Sequence, residues 1–302
     1  MKRAILYPSA LAALVASLPL LPAVAASPPP GQRGGTLPVT FTCATGQALL
    51  KHQPLQHDFT YIFAPGQSYS DTLAVLNLSK TAPLTVKVAI SDAITPPQGG
   101  GLTYNPAAAQ HEIGSWVRPS INTVTVAPNQ YALVPVAVSL PSSVRPGEYD
   151  GVVDVTNQQP TVVRAGKGNL TFYVEQRCGV SLRVTGHASA GLRVVGARVV
   201  ALHAPYRTSA LAVKLRNTGT VIDRPIQAKM TLTGANNKVY VLAAPIEGIV
   251  GGGSTTVNVV LGDAMPAGTY QARIQVAYAA NIVYGPFAQQ MRTSWSGKVV
   301  VP

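Results

Sequence analysis

The sequence contains few charged residues. Its 302 residues include 23 Lys or Arg and 11 Asp or Glu, so charged side chains make up 11% of the chain, against about 25% in an average soluble domain. Apolar residues make up 47%. This composition excludes a disordered chain and a coiled coil, both of which need many charged residues.

Residues that usually carry catalysis or metal binding are also scarce. There are two cysteines, Cys43 and Cys178, and five histidines, and none of the H-E-x-x-H, G-x-S-x-G, S-x-x-K or Walker patterns occurs. Two cysteines so far apart do not make a zinc site, which needs four ligands in closer sets. The sequence therefore predicts a protein that is not an enzyme and holds no metal or cofactor. In an exported chain the two cysteines can form a disulfide or remain two buried thiols, and we predict the Cys43–Cys178 disulfide.

One long apolar run occurs, at the N-terminus. Lys2 and Arg3 precede the apolar stretch 10–21, and small residues follow at 23–26. This pattern predicts a signal peptide over residues 1–26, with a mature protein that starts at Ala26 or Ser27. No later run approaches the roughly 20 apolar residues of a membrane span. We therefore expect a mature chain without a transmembrane segment, secreted or held at the cell surface.

Glycine and proline occur throughout the chain, with 27 and 25 residues respectively. Between them, apolar residues alternate with polar ones, for example at Val86, Val88 and Ile90, which is typical of half-buried strands. We predict an all-β protein of two tandem immunoglobulin-like β-sandwich domains after the signal peptide. A flexible leader spans 27–56, with a possible extra strand at 36–42; the domains span 57–186 and 187–302.

A hidden repeat supports two copies of one fold. Seven positions recur 121 residues later. The first set is Val136, Val138, Leu140, Gly147, Tyr149, Val153 and Val155, and the second is Val257, Val259, Leu261, Gly268, Tyr270, Ile274 and Val276. The glycine permits a turn before the tyrosine, which resembles the tyrosine corner of immunoglobulin-like sandwiches. Asn77 and Asn217 form a second pair of equivalent positions, and each closes a strand at a polar turn.

The first copy is longer than the second by about 19 residues if both share one fold. The extra residues fall between Asp92 and Ser120, where alternation is lost and Pro and Gly are frequent. We predict a long irregular loop there, a type of segment that often carries binding residues. Tyr104 and Trp116 are the candidate ligand-binding residues, although Trp116 is equally suited to plug the end of the sandwich.

Charge is distributed unevenly between the copies. Residues 27–186 carry a net charge of +2, and residues 187–302 carry +8. The basic half suggests an anionic partner, or a solvated surface that keeps the protein soluble. In the first copy Glu148, Asp150 and Asp154 share one strand face. They could suggest acid–base chemistry or calcium binding, but their inward neighbours are apolar, and we expect the acids to face water.

Several segments together resemble the WxL-interacting cell-wall proteins of Gram-positive bacteria. The segments are 63–73, 76–79, 91–93, 114–117, 126–128, 140–151 and 176–186, with weaker matches at 215–219 and 266–270. The resemblance implies a first domain that binds peptidoglycan and a second that binds host or partner proteins. Members of that family usually end in a membrane helix, whereas this sequence ends at Val299–Pro302 without one. Retention at the wall would then depend on binding alone.

Two functions follow from these observations. The first is a non-enzymatic exported protein that binds a cell-wall polymer, either peptidoglycan or an anionic glycopolymer, or another surface protein. The alternative is a periplasmic assembly chaperone, because pilus chaperones are also exported, basic and built of two immunoglobulin-like domains, and they donate a strand edge to their subunit. Nucleic acid is not an expected partner of an exported protein.

Overall fold

The structure of the protein is a computed structural model. It describes residues 40–99, 101–165, 168–202, 208–262, 265–280 and 291–302. The predicted signal peptide 1–26 and the first part of the predicted leader lie outside the described residues. No helix in the described part of the chain is both long enough and apolar enough to cross a membrane.

The first half of the described chain consists mostly of strands. Its elements are β1 (Phe41–Thr45), α1 (Gly46–Leu50), β2 (Asp58–Phe63), β3 (Ser68–Asn77), β4 (Leu84–Ile94), β5 (Thr103–Tyr104), α2 (Ile113–Trp116), β6 (Val117–Pro119), β7 (Thr123–Val126), β8 (Tyr131–Ser139), β9 (Gly147–Asn157), β10 (Thr161–Ala165), β11 (Gly168–Phe172) and β12 (Glu175–Val184). The second half contains β13 (Leu192–Ala201), β14 (Ser209–Asn217), β15 (Asp223–Thr233), a 3-10 helix (Ala235–Asn237), β16 (Val239–Ala244), β17 (Ser254–Val260), β18 (Gly268–Ala280) and β19 (Met291–Val301).

Two sheets make the first sandwich, which contains β1–β9 and β12. Sheet I has the order β1-β3-β8-β6, and sheet II has the order β2-β12-β9-β4-β5, with β7 also paired to β4. β12 pairs antiparallel with β9 and parallel with β2. The inward side chains of the two sheets form one apolar core that includes Leu73, Val136, Val153 and Leu182.

The second sandwich contains β13–β19. Sheet III has the order β13-β14-β17, and sheet IV has the order β16-β15-β18-β19. Alternate residues of these strands enclose a second core that includes Leu211, Leu215, Met230 and Ile274. Each half of the chain therefore surrounds a core of its own, and the protein has the predicted all-β, immunoglobulin-like fold.

The predicted repeat is confirmed by the hydrogen bonds of the two tyrosines. Tyr149 is the third residue of β9 and donates from its hydroxyl to the carbonyl of Arg145, at 2.9 Å. Tyr270 has the same place in β18 and donates to the carbonyl of Pro266, at 2.8 Å. In each case the hydroxyl bonds back to the backbone four residues upstream, which is the geometry of a tyrosine corner.

The segment predicted as a flexible leader is ordered where the structure describes it. β1 pairs with β3 in register from Phe41↔Asn77 to Thr45↔Leu73, and Phe41 and Ala44 are completely buried. Cys43 and Cys178 form a disulfide, with Cα atoms 6.1 Å apart. Because β1 lies in sheet I and β12 in sheet II, the bridge joins the two sheets across the core.

Residues 92–120 contain short regular elements between the irregular stretches that the sequence predicted. β4 continues to Ile94, and the segment contains β5, α2 and β6. The carboxylate of Asp92 organises it, because Oδ2 accepts from the backbone N–H of His111 at 2.6 Å and Oδ1 accepts from that of Gly114 at 2.6 Å. The alternation of a strand is lost here because side chain–backbone bonds fix the chain without an extended ladder.

Candidate functional site

A β-hairpin extends from the first sandwich outside both of its sheets. This arm consists of β10 and β11, which pair only with each other in the described chain, from Thr161↔Phe172 to Ala165↔Gly168. It exposes 58% of Val162 and 51% of Leu170, and Tyr173 at its base is 66% exposed. Large apolar side chains at a protruding edge are a common feature of interaction surfaces.

The arm and β12 share one continuous edge. β12 follows β11 after two residues, and β2 covers the outer side of β12 only from Gly179 onwards. Within the described chain no strand pairs with the outer side of residues 168–178. Backbone N–H and C=O groups along such an edge can pair with an extended segment of another chain. We call residues 168–178 the free edge.

The apolar stripe of the core continues onto the free edge. Cys178, Val180, Leu182 and Val184 of β12 are buried at every second position. The same spacing is interrupted by the polar Gln176 and then continues through Val174 and Phe172, which are partly buried, to Leu170, which is exposed. The stripe thus emerges gradually from the sandwich core to the surface.

The carboxylates of β9 do not face water, and the expectation of a solvated face was wrong. Asp154 is 1% exposed, accepts a short hydrogen bond from the hydroxyl of Ser91 and lies 2.9 Å from Nε of Arg177. The sequence correctly indicated that the neighbours of these carboxylates on β9 point into the core. It did not show that the opposite face of β9 is covered by β5 and the second sandwich.

Glu148 and Asp150 are buried where the first sandwich meets the second. Oε2 of Glu148 accepts from the backbone N–H of Ile222 at 3.2 Å. The guanidinium of Arg224 lies 3.7 Å from Glu148 and 3.6 Å from Asp150. Burial and the neighbouring Asp150 charge raise the pKa of Glu148 to about 7, and the opposite charge of Arg224 offsets part of this effect. These groups link the first sandwich to the second.

A cavity of about 230 Å³ adjoins this contact, and its lining includes Glu112, Arg145, Glu148, Tyr149 and Thr220. Burial, followed by the charge of Asp92, raises the pKa of Glu112 to about 7. Carboxyls of this kind can hold a proton near neutral pH. The described residues contain no group of three or more His, Cys, Asp or Glu side chains able to hold a metal.

Tyr104, one of the two predicted ligand-binding residues, lies on β5 at the edge of sheet II and is half-buried. The guanidinium of Arg177 lies 5.4 Å from the centre of its ring, within the range of a cation–π contact. Burial and the charge of Asp150 raise the pKa of its hydroxyl. Tyr104 therefore covers the charged residues on the outer face of sheet II.

Trp116, the other predicted residue, is 8% exposed and belongs to the first core. Its ring contacts Tyr149 edge-on, with ring centres 4.8 Å apart. In the second sandwich Tyr240 contacts Tyr270 in the same manner, at 5.9 Å. The structure thus places Trp116 as a plug beside the tyrosine corner, and Tyr104 and Trp116 do not form a common exposed surface.

The arm is the feature that the sequence analysis missed. Two signals for it were present in the sequence: the alternation of Leu170, Phe172 and Val174, and the Gly-Lys-Gly sequence at 166–168, a composition that favours turns. The alternation resembles that of any strand, so it does not reveal that the strand extends past its sandwich.

Comparison with known proteins detects similarity in structure alone. No protein-family model matches the sequence, and no curated protein matches it. Among solved structures, the chain is similar to the Pseudomonas aeruginosa CupB2 chaperone, with 12% identity, a TM-score of 0.38 and coverage of 80% of this chain and 97% of that one. It is also similar to a chaperone–tip adhesin complex of CFA/I fimbriae, with 12% identity, a TM-score of 0.40 and coverage of 78% of this chain and 94% of that one. The YadV chaperone has 11% identity and a TM-score of 0.37, with coverage of 87% of this chain and 100% of that one. Values this low do not define what the present chain binds.

Proposed function

We propose that this protein is an exported, two-domain binding protein that captures an extended apolar segment of a partner protein along its free edge. The function corresponds to the assembly-chaperone alternative drawn from the sequence. The observation that carries it is the continuous unpaired edge at residues 168–178, whose apolar stripe emerges from the core at Leu170.

Strand addition requires two properties of the binding edge. Backbone groups must be free to pair, because main-chain hydrogen bonds supply affinity, and alternate side chains must meet the partner, because they supply specificity. The free edge has both properties. Leu170 and Phe172 lie two residues apart and lead towards the buried stripe of β12, so a partner strand that extends the sheet also extends the core.

The disulfide supports the base of this edge. Cys178 is the last residue of the free edge and is fully buried and bonded to Cys43 of sheet I. The bridge fixes the point at which the edge enters the sandwich, which reduces the freedom that is lost on binding. Wall-polymer binding through Tyr104 and Trp116 has weaker support, since Trp116 is in the core.

The test uses the full mature chain and a panel of fluorescein-labelled 12-residue peptides with valine or leucine at alternate positions. Binding is measured by fluorescence anisotropy, and hydrogen exchange locates the protected amides. We expect protection within residues 168–178, and Leu170→Asp should weaken binding at least tenfold. The matched control is Val241→Asp, because Val241 of sheet IV is 59% exposed but lies on another sheet.

Two results would oppose the proposal. One is that no peptide of the panel binds to the folded protein. The other is that peptides bind equally well to the Leu170→Asp protein and to the wild type, with protection outside the free edge.

A further inference from the structure

The outer face of sheet IV carries four exposed cations, which belong to three adjacent strands. Lys229 is on β15, Arg273 is on β18, and Arg292 and Lys298 are on β19; all four are exposed. The alternation of each strand directs its apolar residues to the second core and these four side chains to the opposite face.

The strand register places the four cations in successive cross-strand rows. The rows are Arg292↔Ala277, then Ser294↔Gln275↔Lys229, then Ser296↔Arg273↔Thr231, then Lys298↔Gln271↔Thr233. Each row contains one cation. Because alternate residues on one face are about 7 Å apart along a strand, the four rows extend over about 20 Å. The cations therefore form a strip parallel to the strands, which we call the cationic strip.

No acidic side chain compensates these charges on the described part of this face. The acidic residue of β15 is Asp223, which is fully buried and accepts from the backbone N–H of Gly191. The ion pairs of the described chain involve Arg177 and Arg224 but none of the four cations. Like charges in proximity repel each other, so a bound anion would relieve the repulsion.

Neutral hydrogen-bonding groups fill the positions between the cations. Gln271 and Gln275 of β18 and Ser294 and Ser296 of β19 share this face. A shallow cavity of about 280 Å³ lies at one end of the strip, lined by residues that include Lys229, Gln275, Arg292 and Ser294. Charged groups at regular intervals with amides and hydroxyls between them suit a ligand that carries both anions and hydroxyls.

We propose that the cationic strip binds a linear phosphodiester-linked glycopolymer, with the polymer lying along the strands of sheet IV. Phosphates would pair with the cations, and polymer hydroxyls would bond to the amides and serine hydroxyls. A peptide is a poorer occupant of this face, because the backbone groups of the inner strands β15 and β18 are already paired on both sides and offer its amides no partners. A bilayer surface favours a broad basic face with apolar side chains that insert. On this face the cations form a narrow strip, and exposed valines, Val239 and Val241, lie to one side of it on β16.

Sheet III of the same sandwich provides a matched control surface. It also exposes four cations, Arg193, Arg198, Lys214 and Arg216. There, Arg193 lies directly opposite Arg216, and Lys214 and Arg198 lie in the next two rows, so the four cations occupy three rows instead of four. Replacing the four cations of either sheet with glutamine changes the net charge by the same amount. The two variants therefore differ only in which sheet loses its charges.

The experiment measures binding of a fluorescein-labelled poly(glycerol phosphate) by anisotropy in about 50 mM salt. We expect the wild type to bind, and its affinity to fall steeply with added salt, as in other polyanion complexes. The sheet IV variant, Lys229→Gln with Arg273→Gln, Arg292→Gln and Lys298→Gln, should lose at least tenfold in affinity and retain a shallower salt dependence. The sheet III variant should lose less than threefold. Circular dichroism verifies that both variants are folded.

Competitors identify the class of ligand. Phosphatidylglycerol vesicles or poly-glutamate that bind the strip more tightly than poly(glycerol phosphate) would overturn the proposal in favour of a membrane or an acidic protein. If both quadruple variants lose the same affinity for poly(glycerol phosphate), the binding depends on net charge and not on the cationic strip. If the wild type does not bind the polymer, the proposed site is excluded. Because Leu170→Asp should leave polymer binding unchanged, this proposal and that of the free edge can fail separately.

Discussion

The side-chain amides of Asn77 and Asn217 make equivalent hydrogen bonds at the ends of β3 and β14. Nδ2 of Asn77 donates to the carbonyl of Val126 at 3.0 Å, and Nδ2 of Asn217 donates to that of Ile249 at 2.9 Å. Oδ1 of each accepts from the backbone N–H two residues later. Both side chains are buried, so each asparagine fastens a turn to a neighbouring chain segment.

We predict that Asn217→Asp destabilises the protein. A carboxylate of the same shape cannot donate to the carbonyls of Val221 and Ile249. The carbonyl of Val221 then loses its partner, and that of Ile249 keeps only the backbone N–H of Asp223. The cost of such losses is about 1–3 kcal/mol per group. The midpoint of urea unfolding measures it. Asn258→Asp, at an exposed position of β17, is the control and should have little effect; equal midpoints for the two variants would contradict the role of Asn217.

Trp116→Ala should lower stability rather than act on binding directly. Removing a buried aromatic side chain from a core costs about 3–5 kcal/mol, and the loss also deprives Tyr149 of its edge-on neighbour. Tyr104→Ala should cost much less, since Tyr104 is half-buried at an edge. The melting temperatures of the two variants, measured by thermal unfolding, distinguish the large cost of Trp116→Ala from the small cost of Tyr104→Ala. A Trp116→Ala protein with an unchanged melting temperature would show that the ring is not a core plug.

The disulfide should contribute strongly to stability. Cys43 and Cys178 are separated by 135 positions, and a bridge that closes so long a loop is expected to contribute about 2–5 kcal/mol. The Cys43→Ser, Cys178→Ser double variant should therefore unfold at lower denaturant concentration. Reduced wild-type protein provides an independent comparison and should unfold with the double variant; coincidence of oxidised and reduced midpoints would contradict the prediction.

The buried carboxyl of Asp223 makes stability dependent on pH. Burial raises its pKa from 3.8 to about 7, so between about pH 4 and pH 7 the folded protein retains a proton that the unfolded chain has lost. The free energy of unfolding must therefore fall as the pH rises through this window, and level off above it.

Asp223→Asn removes this titration. We expect the variant to be more stable than the wild type at pH 8 by about 1–3 kcal/mol, with little difference at pH 4. Denaturant titrations of both proteins at pH 4 and pH 8 measure this difference in the free energy of unfolding. A constant difference between the proteins across the pH range would show that Asp223 does not titrate in this way.

Much of the fold could be predicted because its determinants are local. Alternation at positions such as Val86 and Val88 reports the strand period, and Tyr149 and Tyr270 report a turn geometry within a few residues of themselves. These signals do not depend on what packs against the strand from outside.

The site was predicted less well because its determinants are distant contacts. The burial of Glu148 depends on Ile222 and Arg224 in the other sandwich, and the burial of Trp116 depends on how residues 92–120 fold back. A lost alternation was interpreted as a loop, although the carboxylate of Asp92 orders the segment. The free edge was missed because pairing partners, and hence their absence, do not appear in a sequence.

The segment that follows β4 has a consequence for any separated form of the second sandwich. Thr256 of β17 donates to the carbonyl of Pro97 at 2.9 Å and accepts from the N–H of Gly99 at 3.0 Å. A short piece of the first sandwich thus occupies the edge of sheet III. Residues 187–302 produced alone would leave that edge open, and open edges promote association between copies. The first sandwich covers part of this edge in the full chain, so we expect the full chain to associate less readily than residues 187–302 alone.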